Sequence, residues 1–184
     1  MRRIAILATL LAATPAAAAL APGAKAPDFT TRGAIAGKVF QVHLAQQLKK
    51  GPVVLYFFPA ANTKGCNAEA QAFAAAIGDF KKAGAQVIGM SADTVETLTV
   101  FSAKECAGQF PVASAGPGVV AGYDVALGRE IAVNGGAPRA VTNRTSYVIA
   151  PNGKIVYAYS DLAAGEHVAN TLKAVRAWKA NKRG

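Results

Sequence analysis

Six consecutive apolar residues, Val53-Val54-Leu55-Tyr56-Phe57-Phe58, lie between Gly51-Pro52 and Pro59. A run of that length, rich in β-branched and aromatic side chains and punctuated by proline on both sides, reads as a strand buried on both faces. Directly behind it come Pro59-Ala60-Ala61-Asn62-Thr63-Lys64-Gly65-Cys66 and then a long alanine-rich helical pattern. Cys66 therefore falls where a buried strand has become the first turn of a helix. Free backbone N–H groups and the positive end of the helix dipole favour a thiolate over a thiol at such a place. The first expectation is that Cys66 is a reactive nucleophile.

The rest of the chain supplies the layers that this strand needs. From about Lys64 to Lys82, Cys66, Ala70, Phe73, Ile77 and Phe80 recur at helical spacing and form one stripe toward the sheet. Glu69 is placed in the first turn, where an acid suits the dipole. Gly84 ends the helix, and Ala85 to Met90 reads as a second buried strand. Ser91, Asp93 and Thr94 are capping candidates for a helix over about Val95 to Ala107, with Cys106 at its far end. Phe110 to Ala113 suits a short strand and Val119 to Asp124 a helical turn. Val125 to Asn143, with Gly135-Gly136 and Pro138, suits a long loop or partial hairpin that frames a site. Thr145–Ile149 and Ile155–Tyr159 flank Pro151-Asn152-Gly153 and predict a β-hairpin.

A last helix over about Gly165 to Lys179 presents Val168, Leu172, Val175 and Trp178 to the core. Upstream, Leu20 to Phe29 should be extended. Val39 to Leu44 is a short edge strand, followed by a short helix to Lys50. Strands alternating with helices require parallel crossovers, and the hairpin adds antiparallel strands. The expected fold is α/β: a mixed central β-sheet with helices on both faces, in a single domain over residues 20–184.

The first 19 residues read as a secretory signal peptide: Arg2-Arg3, an apolar Ile4 to Leu11, and small residues after Pro15. The apolar stretch is too short to span a bilayer, so the mature chain is expected to be exported, to the periplasm, without stable membrane insertion. The formal net charge is +10, from 20 Lys and Arg against 10 Asp and Glu; without Arg2 and Arg3 it is +8. The basic residues are scattered and carry no nucleic-acid motif, which points to solubility and general anion attraction. His43 stands alone without companions at metal-ligand spacing and suits a structural role. The two cysteines, Cys66 and Cys106, could pair in an oxidising compartment.

Together, Pro59-x-x-x-Thr63-x-x-Cys66, the strand before it, Ala26-Pro27-Asp28-Phe29, Gly89-Met90-Ser91-Ala92-Asp93, and Arg144-Thr145-Ser146-Tyr147-Val148-Ile149 with Pro-Asn-Gly-Lys after it resemble the peroxiredoxins. These are AhpC/TSA-type redoxins on a thioredoxin-like fold, and the nearest branch is the bacterioferritin-comigratory-protein or PrxQ type. The resemblance implies a thioredoxin-dependent type of peroxidase that reduces hydrogen peroxide or small organic hydroperoxides. Cys66 would be the peroxidatic cysteine, passing through a sulfenic acid. Arg144 would stabilise the departing oxygen and favour the anionic sulfur, Thr63 would orient the peroxide, and Pro59 would shield the pocket. Glu69 would support the arginine. The implied partners are peroxide and a thioredoxin-like or small-thiol reductant, with a monomer or weak dimer as the working form; no cofactor or metal is implied.

Two departures from that branch concern the second half of the cycle. Five residues after Cys66, where many members carry a resolving cysteine, stands Gln71. In the following helix Ser102 is nearer the usual place than Cys106, which comes about one turn later. Cys106 is therefore a candidate resolver, with a one-cysteine mechanism or a structural role as the alternatives. Two other functions stay open: a thiol–disulfide oxidoreductase, which would want a C-x-x-C pair where Cys66-Asn67-Ala68-Glu69 stands, and a non-catalytic envelope module with a static Cys66–Cys106 bridge.

Overall fold

A computed structural model describes residues 19–182. The expected leader, apart from Ala19, lies outside the described residues. Seven strands form one mixed sheet in the order β2-β1-β5-β4-β3-β8-β9. They are β1 (Thr30–Ile35), β2 (Lys38–His43), β3 (Val53–Phe57), β4 (Gln86–Ser91), β5 (Val112–Ser114), β8 (Thr145–Ile149) and β9 (Ile155–Ser160). The helices are α1 (Leu44–Leu48), α2 (Lys64–Ala83), α3 (Val95–Lys104), α4 (Pro117–Gly122) and α5 (His167–Asn181). A separate two-stranded ribbon, β6 (Ala126–Ala132) with β7 (Pro138–Thr142), occupies the stretch expected as a loop or partial hairpin.

The apolar run forms β3 near the middle of the sheet, parallel to β4 and antiparallel to β8. Its alternation divides the core. Val54, Tyr56 and Phe58 face a cluster built with α2, α3 and α5, whereas Val53, Leu55 and Phe57 face one built with α1 and partly buried residues of α4. Each of these six residues is fully buried, so the strand needs both layers to keep its side chains from water. The mixed sheet with helices on both faces expected from the pattern is thus present.

Several boundaries differ from the sequence pattern. Strand β1 was not signalled, because Gly33 interrupts it and no apolar alternation marks it. A Cβ on Gly33 would stand 2.7 Å from the Val112 carbonyl oxygen, so β1 can lie against β5 only with glycine there. Helix α3 stops at Lys104 with Glu105 as its C-cap, and Cys106 therefore follows the helix instead of ending it. Thr94 is the N-cap, accepting a hydrogen bond from the Thr97 N–H. In α5 the fully buried positions are His167, Thr171 and Val175; Val168 and Leu172 pack at the margin. The polar pair enters because Thr171 donates to the His167 carbonyl at 2.6 Å, which satisfies its hydroxyl.

The aromatic layer under β3 is tightly set. The Tyr56 ring stacks on Phe73 at 4.3 Å between centroids and meets Phe110 edge-on at 6.0 Å. It lies directly over Gly89 of β4: a Cβ there would come within 2.9 Å of both the ring and Val112. Gly89→Ala should therefore overpack the layer and destabilise the protein by about 1–3 kcal/mol. Urea unfolding checks this as a lowered midpoint with an unchanged m-value; an unchanged midpoint would show that Tyr56 can move aside freely.

Candidate active site

The loop between β3 and α2 delivers Cys66. Pro59, half-buried, ends the strand path, and Ala60 and Ala61 tuck beneath the surface. Asn62 then adopts φ +62°, a left-handed conformation that asparagine tolerates better than most residues. Thr63 is the N-cap of α2, but its side chain does not cap the helix. Its hydroxyl donates to the Ala60 carbonyl at 2.9 Å, which leaves the oxygen lone pairs for another donor. Cys66, the third residue of α2, is 2 % exposed and free.

Arg144 enters from the other side of the sheet's centre. Pairing of Phe57 with Thr145 puts the residue before β8 beside the end of β3. There Arg144 is 4 % exposed and uses its donors on several elements. One terminal nitrogen donates to Cys66 Sγ at 3.5 Å, the other donates to the Glu69 carboxylate, and Nε donates to the Leu162 carbonyl at 2.8 Å. Its backbone N–H is held by Asn143 Oδ1 at 2.8 Å. A planar guanidinium can serve these directions at once; an ammonium cannot.

Glu69 is not in the first turn of α2 as expected. It lies one turn further in, with its side chain buried against Arg144. Its place follows from pairing with the guanidinium and not from the helix dipole. Burial pushes the Glu69 carboxyl up to about 7, against the pull of Arg144. One carboxylate oxygen has no hydrogen-bond partner and stands 3.9 Å from His167 Nδ1. His167 is wholly buried; Nδ1 meets the Ser146 hydroxyl at 2.8 Å, and Nε2–H donates to the Asp161 carbonyl at 2.9 Å. Burial holds its protonation below the ordinary histidine value. His167 was missed from the sequence: its only signal there is a lone histidine at the start of an amphipathic helix.

The structure thus brings Cys66, Glu69 and Arg144 into contact, while Pro59 and Thr63 lie on the loop that leads into Cys66. Cys106 belongs to the same apolar cluster as Cys66 but is completely buried and free, two residues beyond the end of α3. Burial, with a lesser push from Glu105, raises its thiol well above the usual value. Ser102 is committed elsewhere, donating to the Thr99 carbonyl and accepting from the Gly37 N–H. Gln71 donates to Glu105 at 2.7 Å and ties α2 to the segment that carries Cys106. His43 bonds Asp28, which also accepts the Ala45 N–H and so secures the start of α1. Among the described residues, no group of His, Cys, Asp and Glu has a metal-binding arrangement, and no helix is long and apolar enough to cross a membrane.

Because the Glu69 carboxyl is raised from 4.5 to about 7, the folded state binds its proton more tightly than the unfolded chain. Its contribution to stability is complete below about pH 4.5 and is lost as the pH rises toward 7. Glu69→Gln removes this group while keeping an oxygen for Arg144. The stability of wild type relative to Glu69→Gln should therefore fall across that window, by an amount on the order of a few kcal/mol. Denaturant titrations at a series of pH values measure the difference; a difference that rises with pH would mean that Arg144 outweighs burial.

Residues 22–158 match the AhpC/TSA family. A protein of Mycobacterium tuberculosis named as a peroxiredoxin is 37% identical over 151 residues, covering 82% of this chain and 91% of that protein. The chloroplastic peroxiredoxin Q of rice (Oryza sativa) is 32% identical over 152 residues, 82% of this chain; the chain spans 64% of that relative's length. The crystal structure of the peroxidoxin BcpB of Mycobacterium tuberculosis superimposes with a TM-score of 0.71 at 28% identity, over 85% of this chain and 96% of that one. The sheet and helices described above are accordingly those of the thioredoxin-like peroxiredoxin fold. The chain belongs to the AhpC/TSA family, with relatives among the peroxiredoxins of the Q and Bcp type.

Proposed function

We propose that this chain is a thiol-dependent peroxidase acting on hydrogen peroxide or small organic hydroperoxides, with Cys66 as the attacking group. The observation that carries the reading is the guanidinium of Arg144 at 3.5 Å from Cys66 Sγ, both buried at the N-terminal turn of α2. The anionic sulfur attacks the terminal peroxide oxygen. An S–O bond forms as the O–O bond breaks, sulfur loses two electrons, and the departing alkoxide or hydroxide leaves as alcohol or water after taking up a proton. Arg144 stands where charge develops on the two oxygens, and the Thr63 hydroxyl offers a nearby polar contact that orients the peroxide. Pro59 and the buried Ala60 and Ala61 limit water around the sulfur.

In the second half, Cys106 attacks the sulfenic acid of Cys66, water leaves, and a disulfide forms; a thioredoxin-type or small-thiol reductant then restores both thiols. The shared apolar cluster supports Cys106 as resolver. Its complete burial means that the first turn of α2, the 105–109 segment, or both must open before the sulfurs reach bonding geometry. The basic, apolar and small-residue succession over residues 1–19 supports export to the periplasm.

Mixing the reduced protein with one equivalent of hydrogen peroxide and following thiol loss by quench and mass tests the reading. Cys66→Ser should abolish fast thiol loss. Cys106→Ser should keep it but accumulate a sulfenic acid, or its sulfinic product with excess peroxide. Slow oxidation indifferent to Cys66 refutes the peroxidase, and equal sulfenate accumulation in wild type and Cys106→Ser removes Cys106 as resolver. Arg144→Lys keeps a charge without the fork, and the rate constant for peroxide should fall by about 10²–10³; stopped-flow oxidation measures it.

A further inference from the structure

We infer that Asp93 and Arg139 are positioning residues for peroxide attack, clamping the Ala61 peptide and through it the loop that aims Thr63 and Cys66. Ala61 lies two residues before Thr63, and its N–H and C=O, which belong to the two peptide units flanking its Cα, are both held from outside the loop. Its N–H donates to Asp93 Oδ2 at 2.7 Å, a buried bond. Its carbonyl accepts from Asn134 Nδ2 at 3.3 Å. The first partner stands between β4 and α3, the second in the turn of the β6–β7 ribbon. The ribbon is thereby more than a cover for the sheet: it reaches across to the loop in front of the reactive cysteine.

Asp93 is itself held in place. The Ser91 hydroxyl donates to the same oxygen at 2.7 Å, and Ser91 Oγ also accepts the Asp93 N–H at 3.2 Å. The other oxygen, Oδ1, accepts from Arg139 Nη2 on β7. Asp93 has only 7 % of its side chain exposed, against 34 % for Arg139. A carboxylate so covered requires a charge partner, and Arg139 is the cation that it contacts. Immediately after Ala61, Asn62 takes its left-handed φ of +62°, and Thr63 turns its hydroxyl back to the Ala60 carbonyl. A loop in a conformation that most residues disfavour persists only when its surroundings determine it. Asp93 on the N–H side and Asn134 on the C=O side supply that determination, and Arg139 fixes Asp93.

This inference rests on the peroxidase reading for its consequence, though not for its geometry. The reaction of Cys66 with peroxide needs the sulfur, Thr63 and Arg144 in register, whereas alkylation by iodoacetamide needs only a reachable, ionised sulfur. Releasing the Ala61 peptide should separate the two. In the reduced full chain, Arg139→Ala should lower the rate constant for hydrogen peroxide by about tenfold or more, while iodoacetamide alkylation of Cys66 changes by less than about twofold. Arg139→Lys should recover most of the loss. Asn134→Gly removes the side chain of an exposed turn residue without strain, because Asn134 has φ +51°; it should give the same split on a smaller scale and keeps the test open even if Arg139→Ala fails to fold. Hydrogen exchange at the Ala61 and Asn62 amides should rise in the Arg139→Ala and Asn134→Gly variants.

Parallel losses in both chemistries, or a peroxide rate unchanged in Arg139→Ala and Asn134→Gly, overturn the clamp while leaving the peroxidase intact. A wild type inert to peroxide, but with loop exchange that rises in both variants, refutes the peroxidase reading and leaves the clamp as a structural fact. Unchanged exchange at both amides overturns the clamp whatever the wild-type rate.

Discussion

A buried guanidinium must be paired and hydrogen-bonded, because charge removed from water without partners costs several kcal/mol. Arg144 meets that condition with groups from distant parts of the chain: its guanidinium donates to the Glu69 carboxylate and Cys66 sulfur of α2 and to the Leu162 carbonyl beyond β9, and its backbone N–H donates to Asn143 Oδ1. None of these can be in place unless β8 is paired with β3 and α2 is packed against the sheet. Cys66 thereby occupies its position on α2 as part of a solution to a burial problem, and its contact with Arg144 comes from the same geometry that stabilises the cation.

The two sides of the centre differ in physical kind. Beneath it, Tyr56, Phe58, Phe73 and Phe101 form an aromatic layer with stacked contacts at 4.3 Å and 5.3 Å, where shape and volume decide position. Beside it, direction comes from hydrogen bonds: Asp93 and Asn134 on the Ala61 peptide, Ser146 and Asp161 on His167. Packing keeps the helix against the sheet; the polar contacts set angles that packing leaves free. The second cysteine belongs to the packed side. Its thiol is sealed in, and Gln71 with Glu105 fastens the segment around it.

The buried strand β3, the extent of α2 and the β8–β9 hairpin were legible in the sequence because each has a local signal: an unbroken apolar run, a helical stripe ended by Gly84, an Asn-Gly turn. Strand β1 was not, since its register depends on Gly33 meeting Val112, a contact that no neighbouring residue announces. The same holds at the centre. Cys66, Thr63 and Pro59 sit within one short motif, and Arg144 is marked by the strand that follows it. His167 and Arg139 are far from that motif, and only tertiary structure brings them near it. Glu69 was identified with the arginine but given the wrong local reason. The end of α3 was misjudged because apolar spacing continues through Cys106 after the backbone has left the helix at Glu105.

Cys66 and Arg144 are separated by 78 residues along the chain, and β8 docks beside β3 only after β4, β5 and the β6–β7 ribbon have intervened. A chain emerging from its N-terminus therefore presents the thiol long before the cation that answers it exists. An incomplete or partly folded copy has a cysteine but no assembled centre. The Cys66–Arg144 contact exists only once the last hairpin, β8–β9, has docked on β3, so the centre reports on the completeness of its own fold.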